Sequence, residues 1–79
     1  MKREYWIDKG KIENGEYISY DCIEMYTSYK QALYVYKLEK LSIKRDEYVQ
    51  FWVVDWDDQE DEMIDYKIEW TYERRSVKE

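Results

Sequence analysis

Seven carboxylates fall within eleven residues, Asp55, Asp57, Asp58, Glu60, Asp61, Glu62 and Asp65, with no Lys or Arg among them. Three chemistries could use such a cluster. Two carboxylates across a cleft can divide acid and base work in glycoside hydrolysis, but only with a cavity that holds the substrate between them. A run of acids can ligate calcium, yet the EF-hand order fails here. Counted from Asp55, the position that needs Gly holds Glu60 and the position that needs a bidentate Glu holds Tyr66. The third use is a negative surface that competes with nucleic acid for a basic groove. Carboxylates on alternate residues of a strand lie about 6.7 Å apart. That is near twice the ~3.4 Å repeat of phosphates along one DNA strand.

Most other site chemistry lacks its residues. The chain has no His and a single Cys, Cys22. The usual general base, an ordinary zinc site and a Cys-His nucleophilic pair are therefore missing. No Gly-rich phosphate loop occurs, since Gly10 and Gly15 are the only glycines. The expectation is a non-catalytic chain with no catalytic residues, no cofactor and no bound metal. Cys22, with no cation close in sequence to make it a thiolate, reads as a small packing residue.

The elements that must carry the acids follow from periodicity. Strands are expected at Glu47 to Trp56 and Met63 to Tyr72, with Asp57-Asp58-Gln59-Glu60-Asp61-Glu62 as the loop. Ile64, Tyr66, Ile68, Trp70 and Tyr72 alternate with Asp65, Lys67, Glu69, Thr71 and Glu73, the period-2 pattern of a strand with one wet face. The preceding strand is apolar on both faces, with Tyr48, Trp52, Val54 and Trp56 on one and Val49, Phe51 and Val53 on the other. If Val54 pairs with Tyr66, then Asp55 faces Asp65, and Glu69 and Glu73 extend the acidic row. In that register Val49, Phe51 and Val53 face Thr71, Glu69 and Lys67. They form an apolar strip that either the helix or first hairpin covers, or a partner does.

Upstream, Glu4 to Glu13 and Glu16 to Met25 flank Asn14-Gly15, whose tolerance of positive φ suits a type I′ hairpin turn. Ile12 then faces Tyr17, and Lys11 faces Ile18. Gly10 within the first strand suggests a bulge. The second strand changes phase near Asp21, where it bulges or ends. Ser28-Tyr29-Lys30-Gln31 fits a capping box opening a helix that runs to about Ser42. Tyr34 and Leu38 lie off its apolar face, so the helix is greasier than one sheet contact requires. The order is β-β-α-β-β. The fold class is α+β, a four-stranded antiparallel sheet of two hairpins with one helix on one face, in a single small domain, 1–79.

Composition bounds the partners. A 79-residue chain has a thin core, and 10 Tyr, 4 Trp and 1 Phe give it the most apolar area per ordered residue. The formal charge of −6 disfavours direct nucleic-acid and membrane binding and favours basic proteins. One Cys permits no internal disulfide, and no signal peptide or membrane span is read. A cytoplasmic protein is expected. In size, acidity and lack of chemistry the chain resembles, as a class, the phage and mobile-element inhibitors of nucleases, such as anti-CRISPR and anti-restriction proteins. That resemblance implies a larger basic, nucleic-acid-binding partner. The partner-binding candidates are Asp55, Asp57, Asp58, Glu60, Asp61, Glu62, Asp65, Glu69, Val49, Phe51 and Val53. The alternative is a self-associating accessory domain, a homodimer through Val49, Phe51 and Val53.

Overall fold

The computed structural model describes residues 2–76. The expected domain, 1–79, reaches past them to residues 1 and 77–79, which lie outside the described residues. The elements are β1 (Lys2–Glu13), β2 (Glu16–Ser19), β3 (Glu24–Tyr26), α1 (Tyr29–Ser42), β4 (Glu47–Asp57) and β5 (Glu62–Arg74). All pairings are antiparallel, in the order β2-β1-β4-β5, with β3 also on β1. The architecture is the expected α+β sheet with one helix across one face. One edge strand is broken into two short pieces, β2 and β3.

The turn between β1 and β2 is the expected one, with Asn14 at φ 53° and Gly15 at φ 80°. It sets Ile12 against Tyr17 and Lys11 against Ile18. β2 ends at Ser19, and pairing with β1 resumes at Glu24 with the register stepped by two residues. Asp21 takes φ 58°, and its N–H donates to Ser19 Oγ at 3.0 Å, closing the excursion. Cys22 sits there and is exposed, so it packs nothing.

Against β4 the register runs through Gly10 without a bulge, while on its other side Gly10 forms the last β1–β2 pair, with Ser19, beside the two-residue step to β3. A Cβ there would lie 2.6 Å from Tyr48 Cε1 and would collide with the Ile18 carbonyl oxygen. Glycine is needed for close approach, not for a special φ. The space admits the Tyr48 ring, which stacks on Tyr17 at 4.2 Å and donates from its hydroxyl to Asp8 Oδ2 at 3.2 Å.

Ser28 caps α1, its Oγ accepting from Gln31 N–H at 3.3 Å. Ala32 and Tyr36 are the buried helical residues. They pack on Ile7, Val49, Phe51 and Val53, and Ile43 closes the far end. Phe51 is the hub, with ring centroids of Trp70, Tyr5, Tyr36 and Tyr29 at 5.0, 5.8, 5.8 and 5.9 Å. The helix covers only the half of the sheet around β4 residues 49–53. The β4–β5 hairpin runs on past it, and the molecule measures 53 × 24 × 18 Å.

The β4–β5 ladder has the expected Val54 opposite Tyr66 and Asp55 opposite Asp65, but nearer the turn a shift between Asp55 and Trp56 leaves Ile64 extra and sets Trp56 against Met63. It then departs from a plain ladder. A shift between Phe51 and Trp52 leaves Glu69 as an extra residue, so Trp52 faces Ile68 while Phe51 faces Trp70. This one residue turns Trp70 and Tyr72 onto the helix side, beside Phe51 and Val49. Thr71 and Glu73 turn to the other side, opposite Gln50 and Tyr48. The expected single face of Ile64, Tyr66, Ile68, Trp70 and Tyr72 is therefore split, and the row Asp65, Glu69, Glu73 is broken. A straight ladder would have set Glu69 against buried Phe51, and the bulge replaces that carboxylate with an indole.

Candidate functional site

The helix-free side and the helix side of the projecting hairpin differ in chemistry. On the helix side, beyond the end of α1, Asp55 pairs across the strands with Asp65, and Asp57 with Glu62. The turn between them adds Asp58, Glu60 and Asp61. Opposed carboxylates repel, and the chain relieves one pair from β1. Arg3 lies opposite Asp55 and grips it with two bonds, Nε to Oδ1 at 2.7 Å and Nη2 to Oδ2 at 3.1 Å. These hydrogen bonds and the guanidinium charge hold the Asp55 carboxyl below the usual range. Asp65 instead accepts the N–H of Tyr66 at 2.8 Å.

The turn is built by its own acids. Asp57 Oδ1 accepts from Gln59 N–H and the Asp57 carbonyl accepts from Asp61 N–H, both at 2.9 Å, with Asp61 at φ 55°. Glu60, Asp61 and Glu62 form no ion pair with a described residue. Glu69 is set apart at the bulge and pairs with Lys67 at 3.2 Å. The candidate acids thus divide. Asp57, Asp58, Glu60, Asp61, Glu62 and Asp65 gather at one end, Asp55 belongs to them but is partly neutralised, and Glu69 stands apart.

Among the described residues, no group of three or more acidic or cysteine side chains converges as a metal ion would require. Asp57, Asp58, Gln59 and Ile64 line an open depression of about 330 Å³. The acids therefore act as a field over a convex tip more readily than as a cage.

Val49, Phe51 and Val53 are at 0, 0 and 7 % exposure, sealed under α1 and the Trp70 and Tyr36 rings. The expected strip is core and offers no surface. The rings that do face outward are on the other side of the sheet, where no helix packs. Trp6 and Trp52 pair across β1 and β4, Trp56 pairs with Met63, and Val54 with Tyr66. Trp52 lies 5.6 Å from Tyr66, and Trp6 lies 6.4 Å from Trp56. With Met63 they line a depression of about 290 Å³. The signal for this patch was in the chain, since Trp52, Val54 and Trp56 alternate with the core residues of β4.

A second groove runs between α1 and β5, about 280 Å³ and lined by Leu33, Tyr36, Lys37, Lys40, Trp70 and Tyr72. The Lys40 ammonium stands 5.0 Å from the Tyr72 ring and 5.7 Å from Tyr36, so it is spent on their π faces. The outer side of α1 leaves Tyr34, Leu38 and Leu41 exposed. Among the described residues no helix is long and apolar enough to cross a membrane. Comparison with protein-family models, with curated proteins and with solved structures returns no match.

Proposed function

We propose that the chain is a non-catalytic interaction module whose acidic hairpin end occupies a basic groove of a larger, nucleic-acid-binding protein. The observation that carries this reading is the grouping of Asp57, Glu60, Asp61, Glu62 and Asp65 at a projecting tip. Of the described cations beside it, Arg3 is committed to Asp55, Lys67 to Glu69 and Lys2 to Glu4. Like-charged pairs at a hairpin end cost stability and are kept where the field itself is useful. The ladder sets Asp55 against Asp65 and Asp57 against Glu62, with the remaining acids in the turn, which concentrates negative charge as a substitute for phosphates would. Lack of His in the sequence and, among the described residues, of an enclosed acid pair supports a binding role over a catalytic one. Action inside the cell, on a nuclease of the kind that phage inhibitors block, is the setting we infer for such a tip.

The test is capture of a partner from cell lysate on the immobilised protein, followed by competition with duplex DNA. A basic protein displaced by DNA, and lost when Asp57, Asp58, Asp61 and Glu62 are all changed to Lys, supports the reading. A partner retained by that folded variant, or indifferent to DNA, overturns it.

A further inference from the structure

We infer that the helix-free face of the sheet is a docking surface for a second copy of this chain, forming a two-fold dimer by sheet-on-sheet packing. In a two-layer fold one sheet face is covered by the helix, and the other should be polar. Here it is not. Met63, Tyr66 and Ile68 on this face are 42, 59 and 45 % exposed, beside three half-buried tryptophans.

Charge selects the occupant. The chain carries −6, but this face is internally neutralised. Glu4 accepts from the Trp6 indole and pairs with Lys2 at 3.8 Å. Asp8 is buried, accepting from Ser19 Oγ at 2.7 Å and from Tyr48. Glu73 is held by Arg75 at 2.5 Å and by the Tyr17 hydroxyl. Gln50 and Thr71 bond one another at 3.4 Å. A strongly basic partner finds no spare carboxylate here, whereas an identical copy buries no unpaired charge on this face.

The size fits as well. β1, β4 and β5, spaced about 4.8 Å over about eight residues each, with the short β2 and β3 along the outer side of β1, give a footprint near 500 Å² per copy. Two such faces bury about 1,000 Å², at the lower limit for a specific interface. The acids lie on the opposite side of the hairpin, so a dimer leaves both acidic ends open to partners. The proposal therefore stands or falls separately from the function proposed above.

Sedimentation equilibrium on the intact chain, over a wide concentration range, decides it. Wild type is expected at twice the 10.0 kDa chain mass, with a blue shift of tryptophan emission as dimer forms. Higher salt should tighten association, because it screens the net negative charge without weakening apolar contact. Met63→Glu with Tyr66→Glu, at exposed positions, should give a folded monomer by circular dichroism. Leu41→Glu on the outer side of α1 should leave the dimer intact. A wild-type monomer at every concentration overturns the proposal. So does a dimer that survives Met63→Glu/Tyr66→Glu or is lost on Leu41→Glu. Loss of a captured basic partner by Met63→Glu/Tyr66→Glu, with wild type monomeric, would assign the face to that partner instead.

Discussion

Replacing Phe51 with Ala should remove a large part of the stability of this fold. Phe51 has no exposed surface and is enclosed by Tyr5, Tyr29, Tyr36 and Trp70, with ring centroids 5.0–5.9 Å away. Truncating a buried Phe to Ala costs about 3–5 kcal/mol, the lost transfer energy plus the cavity left behind. Four rings from three different elements cannot all collapse into that space, which places this site toward the upper figure. A domain of this length has about 4–12 kcal/mol in total, so the variant should lose a third or more of it. At about 4–8 °C per kcal/mol, the midpoint should fall by about 15–30 °C. Thermal and urea unfolding, followed by near-ultraviolet circular dichroism, measures this directly. Tyr34→Ala, a ring of similar size that is 65 % exposed, is the control and should stay within about 0.5 kcal/mol of wild type. If Phe51→Ala costs under about 1 kcal/mol, or no more than Tyr34→Ala, Phe51 is not the hub of the core.

Further expectations follow from particular contacts. Because the bulge at Glu69 brings Trp70 onto Phe51, a double-mutant cycle between them should show about 0.5–1.5 kcal/mol of coupling, and none if the ladder is straight. Gly10→Ala should cost about 1–3 kcal/mol or more by urea denaturation, since its methyl meets the Tyr48 ring and the Ile18 carbonyl; a neutral result would mean the two strands part there easily. Burial, with the nearby Asp8 charge and hydrogen bond, pushes the Tyr48 hydroxyl up to about 12, and the hydrogen bond to Glu24, with burial, does the same for Tyr26. A raised folded value means that this stability is fully present below the ordinary tyrosine value of 10.0 and is lost as pH rises toward about 12. Tyrosinate absorbance during alkaline titration should therefore show late phenols, with one fewer in Tyr48→Phe. At the acid end, hydrogen bonds from Ser76 to Asp46, from Tyr20 to Glu47, from Arg3 to Asp55 and from Arg75 to Glu73 lower those carboxyls. Their stability is present above the ordinary carboxylate values and is lost as pH falls through the lowered ones, which an acid unfolding curve would display.

Local chemistry made much of this architecture readable in advance. Asn14-Gly15 can be little other than a tight hairpin turn, and it fixes Ile12 against Tyr17. Ser28 caps a helix because its hydroxyl satisfies a free amide, and the helix ends at Ser42 as its residues suggest. The supposed pairing of Val54 with Tyr66 and Asp55 with Asp65 is the observed one, although a ladder counted from the turn reaches it only through the extra residue Ile64. The bulge at Glu69 was not legible from alternation. Ile64 to Tyr72 alternates without interruption, and an extra unpaired residue leaves no break in a period of two.

What sets the bulge is tertiary demand. Val49 and Phe51 take the rings of Tyr72 and Trp70 opposite them where a straight register gives Thr71 and Glu69, while Val53 keeps Lys67. That mismatch was the available sign. The apolar strip of β4 is core for the same reason, while on the other side of the sheet Tyr66 is exposed beside the half-buried Trp6, Trp52 and Trp56. The acidic tip was legible as composition, but its neutralisation by Arg3, fifty-two residues away in sequence, was not.

The account rests most on the acidic end acting as a field toward a basic partner. Its direct measurement is the affinity of the captured protein for this chain across salt, from about 50 to 500 mM, for wild type and for the Lys reversals of Asp57, Asp58, Asp61 and Glu62. Affinity should fall steeply with salt for wild type and be absent for the folded reversal. A binding constant that stays flat across that range, or that the reversal leaves unchanged, would contradict it.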